Sequence, residues 1–178
     1  GLTPTSRIEN VNHWMEAIDS KTSEEVIMLL KGHIDQTELA LELDKKIYGR
    51  RAAKYLMLKL DCILHGHTTK LDFPSTISIE HILPQTPKVD SQWLQDFTEE
   101  ERDYAKDRLG NLVLLSRRKN SSQNNRDYAD KKQKYFQGNI ELFSNSIRIF
   151  QQYATWTVTD FSKNHAYVKT KLLEHFAA

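Results

Sequence analysis

The first third of the chain repeats apolar residues at helical spacing. Val11, Trp14, Met15 and Ile18 share one face, the i, i+3, i+4, i+7 recurrence of an amphipathic helix. Val26, Ile27, Leu29, Leu30 and Ile34 share a second. A predicted Ser23 cap precedes it, with Glu24 and Glu25 in the first turn, where carboxylates favour the positive end of the helix dipole. Leu39, Leu41, Leu43 and Ile47 follow. Ala52, Ala53, Tyr55, Leu56, Leu58, Leu60, Ile63 and Leu64 make the longest apolar segment, with His65 and Gly66 as its predicted stop. Residues 1–7 read as a polar tail, and 67–76 as a linker containing Pro74.

The texture changes at Thr76. Thr76, Ile77, Ser78 and Ile79 alternate polar and apolar, which predicts a short strand ending near Glu80. Pro84 and Pro87 bracket a loop. Thr98 caps an acidic first turn (Glu99, Glu100, Glu101) of a helix predicted to run to Gly110. Residues 111–116 read as a second strand and 117–126 as a basic, polar loop. Asp127 is the predicted cap of a helix through Phe136, with Gly138 as its stop, and helical spacing returns at 140–153 and 160–176. The expected fold is mainly α with a small ββα unit, an α+β protein. Its regions are an N-terminal helical part (1–72), a core (73–138) and a C-terminal helical part packing on that core (139–178).

Composition narrows the picture in three ways. With 178 residues, 39% of them hydrophobic, the chain can bury a core without disulfides. The single cysteine, Cys62, lies in an apolar run and fits a reducing cytoplasm. No apolar stretch approaches the ~20 residues of a membrane span, and no secretory signal is present. The chain begins at Gly1 rather than Met and reads as a piece of a longer protein. The net charge is only +1, so a nucleic-acid partner would have to be met by local charge. Such a concentration exists. Residues 117–134 carry seven basic side chains (Arg117, Arg118, Lys119, Arg126, Lys131, Lys132, Lys134) against two acidic ones, Asp127 and Asp130. A solvated face is the ordinary reading of such a run; contact with DNA phosphates is the functional one.

Three segments carry candidate chemistry: Glu80-His81 at a strand end, Asn111 after Gly110, and Asn120 nine positions later. Phosphodiester hydrolysis needs a base to activate water and a cation to stabilise charge on the phosphate. Histidine titrates near pH ~6.5 and accepts a proton at neutral pH. A carboxylate and an amide oxygen are hard ligands suited to Mg²⁺. An asparagine amide both donates and accepts, so Asn111 can hold a loop closed. Of the other histidines, His65 and His67 read as a helix end and linker, and no role is assigned to His13, His33, His165 and His175, which no motif marks. Trp14, Trp93 and Trp156 read as packing residues, and Cys62 as a small buried hydrophobe.

The run Ile79-Glu80-His81-Ile82-Leu83-Pro84-Gln85, then Leu109-Gly110-Asn111-Leu112-Val113-Leu114-Leu115, then Asn120, resembles the HNH ββα-metal nuclease motif. It is similar to the HNH domain of RNA-guided DNA nucleases. It resembles more closely the C-terminal HNH domain of GmrSD-type modification-dependent restriction enzymes, with related domains in phosphorothioate-sensing antiphage effectors. The likeness covers roughly residues 50–175, including the helix from Arg51 and the lysine-rich helix from Asp127. It implies that the core at 73–138 is an HNH nuclease core. By the same resemblance Glu80 is a metal ligand, His81 the general base, Asn111 the brace of the loop holding His81, and Asn120 the second ligand. It further implies a divalent metal (Mg²⁺ first, Mn²⁺ or another divalent ion as alternatives), a DNA substrate, and a prokaryotic, cytoplasmic role in restriction or antiphage defence. An N-terminal nucleotide-hydrolysing or sensor domain of the same full-length protein is the implied partner; the chain itself contains no G-x-x-x-x-G-K-[ST] phosphate loop. Two departures stand out. Many HNH proteins have Asp or His where this chain has Glu80 or Asn120, and Asn164-His165 stand about where an arginine is expected in the last helix. The alternatives are a non-catalytic DNA-binding module on an HNH scaffold, and an RNase or toxin-like nuclease.

Overall fold

Thr3 and Pro4 start the first helix. The Thr3 hydroxyl accepts from the Ser6 amide, and Pro4 occupies the first turn, where its fixed φ suits a helix and its missing N–H costs nothing. Helix α1 therefore spans Pro4–Ser20 and begins inside the segment read as a tail. The computed structural model describes residues 3–32, 34–66, 76–116, 125–137 and 143–177. Helix α2 is Ser23–Gly32. Its cap is Thr22 rather than Ser23: Thr22 Oγ1 accepts from the Glu25 amide while Glu25 accepts from the Thr22 amide, the reciprocal bonding of a capping box. Helix α3, Gln36–Leu43, is capped by Asp35, and α4, Ala53–His65, ends at Gly66, whose φ of 68° suits a residue without Cβ.

Strand β1, Ile77–His81, runs one residue further than expected. After it come a short helix α5, Trp93–Asp96, and α6, Glu99–Ala105, whose Thr98–Glu101 capping box is complete. Helix α6 stops five residues before Gly110. Arg108 turns extended, and Leu109–Asn111 form a 3₁₀ turn leading into β2, Leu112–Ser116. Helices α7 (Tyr128–Phe136), α8 (Ser144–Gln152) and α9 (Val158–Ala177) complete the order. The fold is mainly helical with one two-stranded antiparallel sheet, in which Glu80 faces Val113 and His81 faces Leu112.

Strand β2 divides two hydrophobic cores. Successive strand side chains point to opposite faces. Leu112 and Leu114 enter a core with Leu43, Met57, Leu60, Val168 and Leu172, while Val113 and Leu115 enter one with Trp93, Tyr135, Phe150 and Trp156. The terminal helix α9 contacts α3, α4 and the 3₁₀ turn. The faces expected on α1 and α2 are helical but not covered: Val11, Met15 and Ile18 are 55–63% exposed. Periodicity supplies an apolar stripe, not a neighbour to bury it. No helix among the described residues is long and apolar enough to cross a membrane.

Candidate active site

Because β-strand neighbours point to opposite faces, Glu80 and His81 are approached from opposite sides. Both border a polar cleft of about 300 Å³, whose lining includes Tyr48, Gln85 and Asn125.

His81 is 6% exposed. Its Nε2 lies 3.1 Å from Asp107 Oδ1, and the Gln85 amide nitrogen donates to the same oxygen at 3.1 Å. The Tyr48 ring meets the imidazole edge-on, with centroids 4.3 Å apart. Burial pushes the imidazole below its ordinary pKa; the Asp107 hydrogen bond and the Asp107 and Glu80 charges oppose that, and the Lys131 charge reinforces it.

Glu80 is held from the other face. Lys131 on α7 donates to Glu80 Oε1 at 2.9 Å and to the His81 carbonyl at 2.6 Å. The lysine side chain is 1% exposed and that of Glu80 14%. Burial pushes the Lys131 ammonium below its ordinary value, and Glu80 opposes the shift. This placement corrects the expectation that Lys131 stands on a basic DNA-facing surface. One turn of helix brings it under the sheet, where its charge is matched by Glu80 instead of a phosphate.

Asn111 is fully buried and joins two segments. Its Oδ1 accepts from the Leu83 amide at 2.8 Å, and its Nδ2 donates to the Leu83 and Lys106 carbonyls at 2.9 Å each. The Ile82 amide donates to the Asn111 carbonyl at 2.9 Å. The chain just after His81 is thereby tied to the turn before β2.

That turn is clamped by α9. Asn164 Nδ2 donates to the Gly110 carbonyl at 2.7 Å, and the Gly110 amide donates to His165 Nδ1 at 3.1 Å. His165 Nε2 lies 3.3 Å from Asp44 Oδ1. The pair standing where an arginine was expected thus grips backbone, and His165 has partners the sequence did not disclose. A Cβ on Gly110 would sit 2.5 Å from His165 Cβ and 2.6 Å from its Cα. Gly110→Ala is therefore expected to cost about 1–3 kcal/mol, the usual penalty of forcing extra atoms into a packed site. Urea unfolding checks this; parental stability in the variant would mean that α9 shifts freely.

Arg117, Arg118, Lys119 and Asn120 lie outside the described residues. Arg126 is exposed; Lys132, half-buried, donates to the Tyr153 carbonyl at 2.8 Å, and Lys134 is half-buried. Two residues of the site were not singled out beforehand. Asp107 fell within a helix predicted to continue to Gly110, and Tyr48 had no pattern to mark it. Asp61, also unmarked, is buried on α4 with Oδ1 accepting from the Asn145 amide at 2.9 Å, and burial raises its pKa.

Among the described residues, no group of three or more His, Cys, Asp or Glu is placed to hold a metal ion. Of the cleft's lining, Glu80 could supply a carboxylate to a hydrated cation. Lys131 engages Glu80 Oε1, and Oε2 has no hydrogen bond among the described residues. Mg²⁺ commonly takes one or two carboxylates and fills its shell with water and substrate phosphate.

Comparison with protein families puts the chain among restriction endonucleases. The match is to the GmrSD restriction endonucleases, C-terminal domain, over residues 32–169, and the chain belongs to that family. The matched stretch starts before α3, upstream of the segment whose resemblance was legible, and takes in Tyr48 as well as Asp107. No curated protein and no solved structure matches the chain.

Proposed function

We propose that this chain is a metal-dependent HNH endonuclease domain that hydrolyses DNA phosphodiester bonds. The observation that carries the reading is the adjacent Glu80-His81 pair at one polar cleft, with His81 buried against Asp107. A bound divalent cation, Mg²⁺ or Mn²⁺, supplies charge stabilisation at the phosphate. Glu80 and Asn120, nine residues beyond Asn111, would hold it. His81 takes a proton from the attacking water. Asn111 keeps the backbone after His81 in place, and Arg117, Arg118, Lys119 and Arg126 meet the DNA backbone. Phosphate contacts carry no base information, so the domain cuts with little sequence preference. Targeting resides in an N-terminal nucleotide-hydrolysing or sensor domain of the full-length protein, in a restriction or antiphage role.

Incubating supercoiled plasmid with purified protein and Mg²⁺ or Mn²⁺ tests this, with the His81→Ala variant in parallel. One observation favours a second reading, a DNA-binding module without activity: the Glu80 charge is already matched by Lys131. DNA binding without cleavage under any divalent ion would select it.

A further inference from the structure

We propose that Asp107 is a positioning residue of this site: its carboxylate holds the His81 ring with Nε2–H directed at Oδ1 and leaves Nδ1 as the atom that receives the proton. The inference rests on the nuclease reading for its use, and on geometry for its existence. A carboxylate only accepts hydrogen bonds. A neutral His81 in contact with Asp107 Oδ1 at 3.1 Å therefore carries its proton on Nε2.

Asp107 is itself fixed on three sides. Its carbonyl accepts from the Ile47 and Tyr48 amides at 2.8 and 3.1 Å, and an antiparallel bridge joins Lys46 to Arg108. Gln85 donates to the same carboxylate oxygen that faces His81. The neighbouring lysines do not compete for it: Lys46 and Lys106 both pair with Asp103. The segment that anchors Asp107 also brings Tyr48 against the imidazole, so one backbone bridge sets both walls of the ring's pocket.

The consequence for hydrolysis is directional. Water gives one proton to Nδ1, and its oxygen forms the new bond to phosphorus as the ester oxygen departs and takes a proton from solvent. Nε2 keeps its proton throughout. The imidazolium that forms is stabilised by the Asp107 carboxylate beside it, the part an aspartate plays in a serine-hydrolase triad.

The test has two readouts. In metal-free protein, ¹H–¹⁵N NMR of the imidazole rings is expected to show His81 protonated at Nε2, with a slowly exchanging ring proton that disappears in Asp107→Ala. In plasmid cleavage, Asp107→Ala is expected to lower kcat about 10–100-fold, the usual loss when a partner orienting a site histidine is removed, with KM unchanged. Should the alanine variant not fold, Asp107→Asn, which keeps the shape and removes the charge, carries both measurements and is expected to lower kcat while KM stays. A His81 proton on Nδ1, a ring signal unaffected by the substitution, or a loss confined to KM would overturn the assignment. If the parent protein cleaves nothing, the nuclease reading falls by itself, and with it the catalytic use of the pair; the NMR readout still decides whether Asp107 orients the ring.

Discussion

His81→Ala is expected to abolish metal-dependent plasmid cleavage while leaving DNA binding near the parental level. Proton transfer by a positioned base contributes roughly 10²–10⁴ in rate, or about 3–5 kcal/mol of barrier. Nothing among the described residues replaces it. The other polar groups lining the cleft are the Gln85 and Asn125 amides, the Tyr48 phenol, the Thr86 hydroxyl and the Glu80 carboxylate, one oxygen of which Lys131 engages. The fold should survive. The ring contacts Asp107 and Tyr48, whose side chains reach the surface and can rehydrate. Circular dichroism and a filter-binding assay on the same preparation separate a catalytic loss from an unfolded one. Undiminished cutting by the alanine variant would remove His81 from the mechanism.

Lys131→Met is expected to cause the largest loss of stability. Methionine keeps the length and most of the volume, so the change isolates charge from packing. It strips Glu80 of its partner and the His81 carbonyl of a donor. Breaking a buried pair from one side costs about 3–5 kcal/mol. The lower end is expected, because Glu80 borders the cleft and regains some water. Glu80→Gln added to Lys131→Met removes the stranded charge and should recover at least half of the loss. Urea melts of the parent, both single variants and the double variant form the cycle that measures this coupling. Additive losses would mean that the two groups are stabilised independently.

Much of this arrangement is legible in the chain. The helical spacing of 52–64, the alternation before Glu80 and the Thr98 signal each produce the expected element, because each is local: a stripe, a pleat or a cap is specified within a few residues. The Glu80-His81 pair and Asn111 were legible through their spacing, and the structure places them around one turn. The extent of α6 was not legible. Its residues favour helix up to Gly110, but Asn111 takes the Lys106 carbonyl and α9 takes both backbone groups of Gly110. Tertiary hydrogen bonds outbid the local preference there.

Lys131 shows the same limit from the other direction. A lysine in a basic run reads as surface charge, and three of its neighbours in sequence are basic or polar too. What buries it is the orientation of α7 beneath β1, which no local pattern states. The chain by itself determined most of the elements, the neighbouring Glu80 and His81, and the asparagine beside the glycine. Only the tertiary structure decided which polar groups face each other: Lys131 against Glu80, Asp107 against His81, and His165 against the Gly110 amide. Those pairings join residues 26 to 55 positions apart, and the energy of a charge or a buried hydrogen bond depends on distance in space, which local sequence does not encode.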